Sequence, residues 1–164
     1  MKNEAYLSLG SNLADRLKFL QMAVAELALE NLRIERCSSI YETDPQDLKE
    51  QPKFLNCALL VTTDMDVFQL LAACQRVEKS IGKNKTIASG PRNIDIDILT
   101  FCGSEICTDE LTVPHPRMHL RNFVLIPLRE IAPGIKIHSK QIDDLIEKCA
   151  DQGVFSFSGG TLAV

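Results

Sequence analysis

Along this chain apolar residues first alternate, then recur every three or four positions, then alternate again, and the changes of period mark its elements. Glu4-Ala5-Tyr6-Leu7-Ser8-Leu9 alternates and predicts a strand at residues 4–9. Gly10-Ser11-Asn12 breaks that strand and offers an N-cap to the next element. From Leu13 to Glu30, Leu17, Leu20, Val24 and Leu27 keep helical spacing. A second strand is expected at 32–42, a polar loop from Thr43 to Lys53, and a third strand from Phe54 to Thr63. A loop of about ten residues is longer than a simple connector requires, which points to a functional role. Asp66 to Ile81 reads as a second amphipathic helix, with Val67, Leu70, Leu71, Cys74, Val77 and Ile81 on one side. A second polar loop, Gly82 to Gly90, leads to a strictly alternating strand from Asn93 to Phe101. Beyond it come a short hairpin over Ile106–Val113 and a stop at Pro114 and Pro116. A helical segment at 122–131, interrupted by Pro127, a weaker helix at 141–149 and a tail that is an edge strand or partly disordered complete the chain. The order βαββαβ predicts an α+β fold. It has a ferredoxin-like core with a mostly antiparallel sheet, helices packed on it and C-terminal additions.

The 164 residues fit one domain, so 1–164 is expected to fold as a unit with no room for a fused second activity. Hydrophobic residues at 45% and charged residues at 24% give an ordinary globular balance. The net charge of −4 argues against a dedicated nucleic-acid binder. No leader-like apolar stretch opens the chain and no run is long enough to span a bilayer, so a cytoplasmic protein is expected. The six cysteines form no CxxC pair and mostly sit among apolar neighbours, which reads as reduced, buried thiols. Cys102 and Cys107 could flank a hairpin and pair if oxidised.

The sharpest chemical signal is Gly90-Pro91-Arg92-Asn93-Ile94-Asp95-Ile96-Asp97-Ile98-Leu99. On a strand Asp95 and Asp97 share one face, with Asn93 beside them, and Ile94, Ile96 and Ile98 share the other. Two like charges at that spacing call for compensation, and a hard cation with oxygen ligands supplies it. A solvated outer face of an edge strand is the plainer alternative. Arg92 follows a Gly-Pro turn and can grip phosphate, or pair with one of the aspartates. From Arg76 to Arg92 there are five basic residues, including Lys83 and Lys85, against the single acid Glu78. Such a stretch suits a polyanion, or is a solvated loop. Leu111-Thr112-Val113-Pro114-His115-Pro116, continuing to Arg121 and Phe123, brings further donors, with His115 held stiffly between prolines. There is no P-loop, no GxGxxG after a strand and no GxSxG. Three readings remain open on these residues. They are phosphoryl-type transfer, a metal-dependent phosphohydrolase, and a non-catalytic nucleotide- or metal-sensing module.

Taken in order, Leu9-Gly10-Ser11-Asn12-Leu13, Phe54-Leu55-Asn56, Gln75-Arg76-Val77-Glu78, the GPRxxDxD stretch and the LTxPHP stretch resemble the 6-hydroxymethyl-7,8-dihydropterin pyrophosphokinase family over about residues 5–133. The resemblance implies transfer of the β,γ-diphosphate of ATP to the pterin hydroxymethyl oxygen, with release of AMP, in folate biosynthesis. It implies two magnesium ions on Asp95 and Asp97, with Arg92, Asp97 and Lys83 acting on the reacting phosphates. Gln75, Glu78, Lys85, Arg92, Ile98, Leu111, Thr112, His115 and Arg121 would form the ATP site. Thr43 and Asn56 would bond the pterin edge, and Phe54 and Phe123 would sandwich its ring. No protein partner, nucleic acid or membrane is implied. The chain departs from the family's pattern in the second loop. Lys83 and Lys85 stand where arginines are common, and there is no tryptophan.

Overall fold

A computed structural model describes residues 1–82 and 91–164. The elements run β1 (Asn3–Ser11), α1 (Arg16–Leu29), β2 (Arg33–Cys37), β3 (Tyr41–Thr43), β4 (Phe54–Thr63), α2 (Val67–Ser80) and β5 (Asp95–Phe101). Next are the hairpin strands β6 (Ile106–Cys107) and β7 (Thr112–Val113), a 3-10 turn (Met118–Leu120) and α3 (Asn122–Ile131). The small hairpin β8 (Lys136–Ile137) and β9 (Lys140–Gln141), α4 (Ile142–Lys148) and β10 (Val154–Ser156) complete the series. The main sheet has the order β10-β3-β4-β1-β5, with β2 also paired to β4. Every pairing is antiparallel. With β2 and β3 counted as one interrupted strand, this is the ferredoxin-like βαββαβ order.

Both faces of the sheet are covered, so there are two apolar layers. Leu7, Leu9, Cys57, Leu59, Ile96 and Ile98 pack with Leu20, Val24, Leu27, Leu70 and Val77 of α1 and α2. Ala58, Leu60 and Leu99 pack with Val124, Leu125 and Leu128 of α3 and with Ile142 and Leu145 of α4. Every core residue in this arrangement gains by leaving water, by roughly 1.5–3 kcal/mol for a whole aliphatic side chain.

The structure corrects several local expectations. β1 continues through Gly10, which both flanking strands pair, to Ser11, which β4 pairs. The helix cap falls to Asp15, whose carboxylate accepts from Lys18 N at 3.2 Å. The strand expected at 32–42 is cut in two, with Ser38 N donating to Ala58 O across the break. Strict alternation in β5 fails at Leu99: Leu7 faces Ile98 and Tyr6 faces Thr100, so Leu99 is a bulged residue turned to the α3 layer. Asn93 does not stand beside the aspartates; its amide donates to Ile81 O and Gly82 O at the end of α2. Helix α3 runs through Pro127 without interruption. Of the two expectations for the tail, the edge strand holds, as β10. All six cysteines are free, but only Cys57, Cys74 and Cys149 are buried; Cys37 is half-buried, and Cys102 and Cys107 are exposed on the hairpin side. No helix of the described residues is long and apolar enough to cross a membrane.

Candidate active site

Strand register builds the floor of one cleft. Gly10 of β1 lies between Asn56 of β4 and Asp95 of β5, and Ser8 lies between Ala58 and Asp97. These residues share the α3 face of the sheet, where small side chains at Gly10, Ser8 and Ala58 leave a hollow that Leu60 and Leu99 fill farther along. A Cβ at position 10 would lie 2.6 Å from Asn56 Oδ1, so glycine is what lets the amide stand there. The cleft is lined by Ser8, Gly10, Phe54, Asn56, Arg92, Asp95, Asp97, His115, Arg121 and Phe123, together with Asp44 to Asp47 and Gln51 from the first loop.

Its acidic and basic end is held by local geometry. Arg92 Nη1 lies 3.5 Å from Asp95 Oδ2 and the guanidinium stacks over the Phe54 ring at 5.5 Å. The Arg121 guanidinium stacks likewise over Phe123 at 5.4 Å. The Nε atoms of Arg92 and Arg121 are buried without a hydrogen-bond partner among the described residues. Buried donors of that kind are costly unless a ligand satisfies them. Burial lowers the Arg121 pKa, as does Arg117, while Asp47, Asp97 and Asp95 oppose the shift.

His115 is placed by the β5 bulge, since its backbone N donates to Leu99 O at 2.8 Å. Burial, then the charges of Arg121 and Arg117, push its pKa down to about 4 against the pull of Asp95. The ring is therefore neutral near pH 7. Its Nδ1 accepts from Arg117 N at 3.2 Å, which leaves the proton on Nε2 as a donor.

The other end is aromatic and amide-rich. Asn56 is buried and donates to Thr43 Oγ1 at 2.6 Å. Phe54 and Phe123 stand near it on different elements.

Asp95 and Asp97 are the pair that could hold a metal. Two hard carboxylates facing a cleft suit a divalent cation such as magnesium, which completes its shell with water and ligand oxygens. No group of three or more His, Cys, Asp or Glu suited to a metal occurs among the described residues, so most of that shell would come from elsewhere.

The remaining predicted residues lie apart from this cleft. Leu111 and Thr112 are half-buried at the β7 hairpin, and Gln75 is exposed on α2. Ile98 belongs to the α1–α2 core. Glu78 is buried and accepts from Ile96 N at 2.8 Å, fastening α2 to β5. Lys83 and Lys85 lie outside the described residues.

Three site residues were missed. Asn12 exchanges two hydrogen bonds with the Arg92 backbone, at 3.2 and 2.9 Å, and donates to Gln51 Oε1 and Pro52 O. It joins the arginine to the first loop. Asp47 meets Arg117 at 2.7 Å and Arg121 at 3.4 Å. Burial raises the Asp47 carboxyl, but the Arg117 hydrogen bond and the charges of Arg121, Arg117 and Arg92 outweigh it and leave its pKa below the ordinary value. The length of the first loop was the only signal for Asp47, and Arg117 lay unremarked inside the donor-rich stretch at 111–123; nothing in the sequence paired Asn12 with Arg92.

Residues 6–133 match the family model described as 7,8-dihydro-6-hydroxymethylpterin-pyrophosphokinase. A Bacillus subtilis protein named 2-amino-4-hydroxy-6-hydroxymethyldihydropteridine pyrophosphokinase is 44% identical over 83% of this chain and 82% of its own length. A Methylorubrum extorquens protein of the same name is 36% identical over 92% of this chain and 96% of itself. Folic acid synthesis protein fol1 of Schizosaccharomyces pombe is 37% identical, but the match spans 21% of that longer protein. Among solved structures, the wild-type Plasmodium falciparum HPPK-DHPS with pteroate superposes with a TM-score of 0.71 at 18% identity, over 90% of this chain and 42% of that one, which is a likeness of fold. By the extent of the family match and the full-length bacterial relatives, this chain belongs to the 7,8-dihydro-6-hydroxymethylpterin-pyrophosphokinase family.

Proposed function

We propose that the chain is a cytoplasmic, single-domain, magnesium-dependent pyrophosphokinase. It moves the β,γ-diphosphate of ATP to 6-hydroxymethyl-7,8-dihydropterin and releases AMP. The observation that carries this reading is the row Asn56–Gly10–Asp95 across the sheet, which sets an aromatic, amide-bearing pocket beside an acidic and arginine-rich one in a single cleft.

In the proposed reaction the pterin hydroxymethyl oxygen attacks the β-phosphorus. A new O–P bond forms, the bond from the β-phosphorus to the α,β-bridging oxygen breaks, and AMP departs with that oxygen. The hydroxyl proton is released. Magnesium ions, two by the resemblance, would sit on Asp95 and Asp97 and neutralise charge on the phosphate oxygens. Arg92 and Arg121 then satisfy their buried Nε donors on those oxygens, and neutral His115 donates from Nε2. Lys83 and Lys85 would add charge to the same phosphates. Asn56 and Thr43 bond the pterin edge, and Phe54 and Phe123 hold its ring from two sides, a gain of about 0.5–1.5 kcal/mol beyond area burial for each good aromatic pair. The nucleoside is proposed to lie by Leu111, Thr112 and Gln75, with Glu78 and Ile98 shaping the site from behind. No protein partner is needed for any of these steps.

The test is incubation with ATP, magnesium and hydroxymethyl-dihydropterin, with AMP, ADP and phosphate measured separately. The proposal expects AMP formation that requires the pterin. ATP consumption independent of pterin would favour a phosphohydrolase, and binding with no turnover a sensing module; either would refute it.

A further inference from the structure

The two walls of the cleft come from distant parts of the chain, and one short segment near its end grips both. The first wall is the loop at 44–53, which ends where Phe54 begins β4. The second is the turn at 117–121, which ends where α3 begins, one residue before Phe123. Gln152 uses both ends of its amide on the second wall. Its Oε1 accepts from Asn122 N at 2.9 Å and its Nε2 donates to Leu120 O at 2.9 Å, so it brackets Arg121. One residue on, Gly153 O accepts from Asp44 N at 3.0 Å, at the start of the first wall. Strand β10 then pairs with β3, Val154 opposite Thr43. Lys53, at the far end of the loop, lies over the Phe155 ring at 5.2 Å and pairs with Asp44 at 3.4 Å. Both ends of the loop are thus tied to residues 152–155. Glycine at 153 lets the segment lie this close to the loop: a Cβ there would run into the Asp44 carboxylate and lie 3.1 Å from the Phe155 ring, so one of them would have to shift. The segment falls outside the 6–133 family match, so nothing in that match assigns it a role.

We propose that Gln152–Phe155 is a strap that sets the width of the cleft. Its members are positioning residues. They hold Asn122 and Lys53, the chain neighbours of Phe123 and Phe54, and through them the separation of the two rings. This role in substrate fit rests on the proposed pterin site; the mechanical linkage does not. Misplacing a binding group by a fraction of an ångström costs affinity for a flat ring before it costs chemistry, so the effect should fall on the pterin KM rather than on kcat.

Two measurements decide it. In kinetics, Gly153→Ala is expected to raise the pterin KM about tenfold with kcat within about twofold. Asp44→Ala removes the carboxylate that the new methyl group would strike, so Gly153→Ala should add little in that background. An unchanged KM, or an equal rise in both backgrounds, overturns the strap. In hydrogen exchange without substrates, Gln152→Ala should speed exchange at the Asn122 amide and also at the Asp44 amide, which Gln152 does not touch. A change confined to Asn122 overturns the strap. Should the wild-type protein make no pterin-dependent AMP, the proposed function falls, while the exchange result still decides the strap.

Discussion

The two ends of the cleft are built in opposite ways. At the aromatic end Asn56 is buried within a paired strand and already bonded to Thr43, and Gly10 leaves room for it by having no side chain. That end is preformed. At the charged end opposite charges interleave: Arg92 meets Asp95, Arg117 and Arg121 meet Asp47 from the first loop, and Asp97 lines the same cleft. Two arginine Nε donors there are buried and have no hydrogen-bond partner among the described residues. The contrast teaches where ligand energy is used. On the proposed function, a pterin would enter a shaped slot, whereas a polyphosphate would have to compete with an internal carboxylate for the arginines.

If so, damage to the two ends should separate in kinetics. The largest effect expected is from Arg121→Ala, a fall in kcat of about 10²–10³, as when one preorganised donor to a developing charge is removed. Steady-state kinetics at saturating pterin would show it; a loss confined to the pterin KM would erase the distinction between the ends. Asn56→Ala should act on the other side. It strands the Thr43 hydroxyl, so thermal or denaturant unfolding should register a loss of about 1–3 kcal/mol. Its pterin KM should rise while ATP-analogue binding holds, and a KM unchanged at lower stability would deny Asn56 a ligand role.

Asp47→Asn should sharpen the comparison by moving the other way. On the proposed function the carboxylate would compete with phosphate for Arg117 and Arg121, so removing its charge should tighten binding of a non-hydrolysable ATP analogue by up to about fivefold, the scale of a partly exposed ion pair. Weaker binding in calorimetry would show that Asp47 assists the nucleotide instead.

A separate effect concerns pH. His115 titrates at about 4 in the folded protein, below the ordinary value near 6.5. Between those values the unfolded chain binds the extra proton, so folding is weakened as pH falls through 6.5 towards 4. His115→Gln should therefore lose melting temperature less steeply over that window than the wild type. Parallel slopes would contradict the lowered pKa.

The frame of this fold was legible because its strands and helices are one-sided. The switch from period two at Ala5–Leu9 to helical spacing at Leu17–Leu27 needed no tertiary information. The paired aspartates were legible for the same reason, since alternation alone puts Asp95 and Asp97 on one face. What escaped depends on partners far away in sequence. The Leu99 bulge exists because β1 pairs out of step there, and it is what places His115. Asn12 looked like a helix cap because the same side chain suits both jobs, and only its contact with Arg92, 80 residues on, reveals its own. Val154–Ser156 is too short to show a period, so the sequence left the tail between an edge strand and disorder, and only the pairing with β3 decides it.

If one end of the cleft carries the diphosphate chemistry and the other holds the acceptor, Asp97→Asn should divide them, with pterin affinity measured by equilibrium titration beside the rate of AMP formation. The pterin Kd should stay within about threefold of wild type while kcat falls by at least about 10³. Retained turnover, or a pterin affinity lost together with the rate, would overturn the division of the cleft.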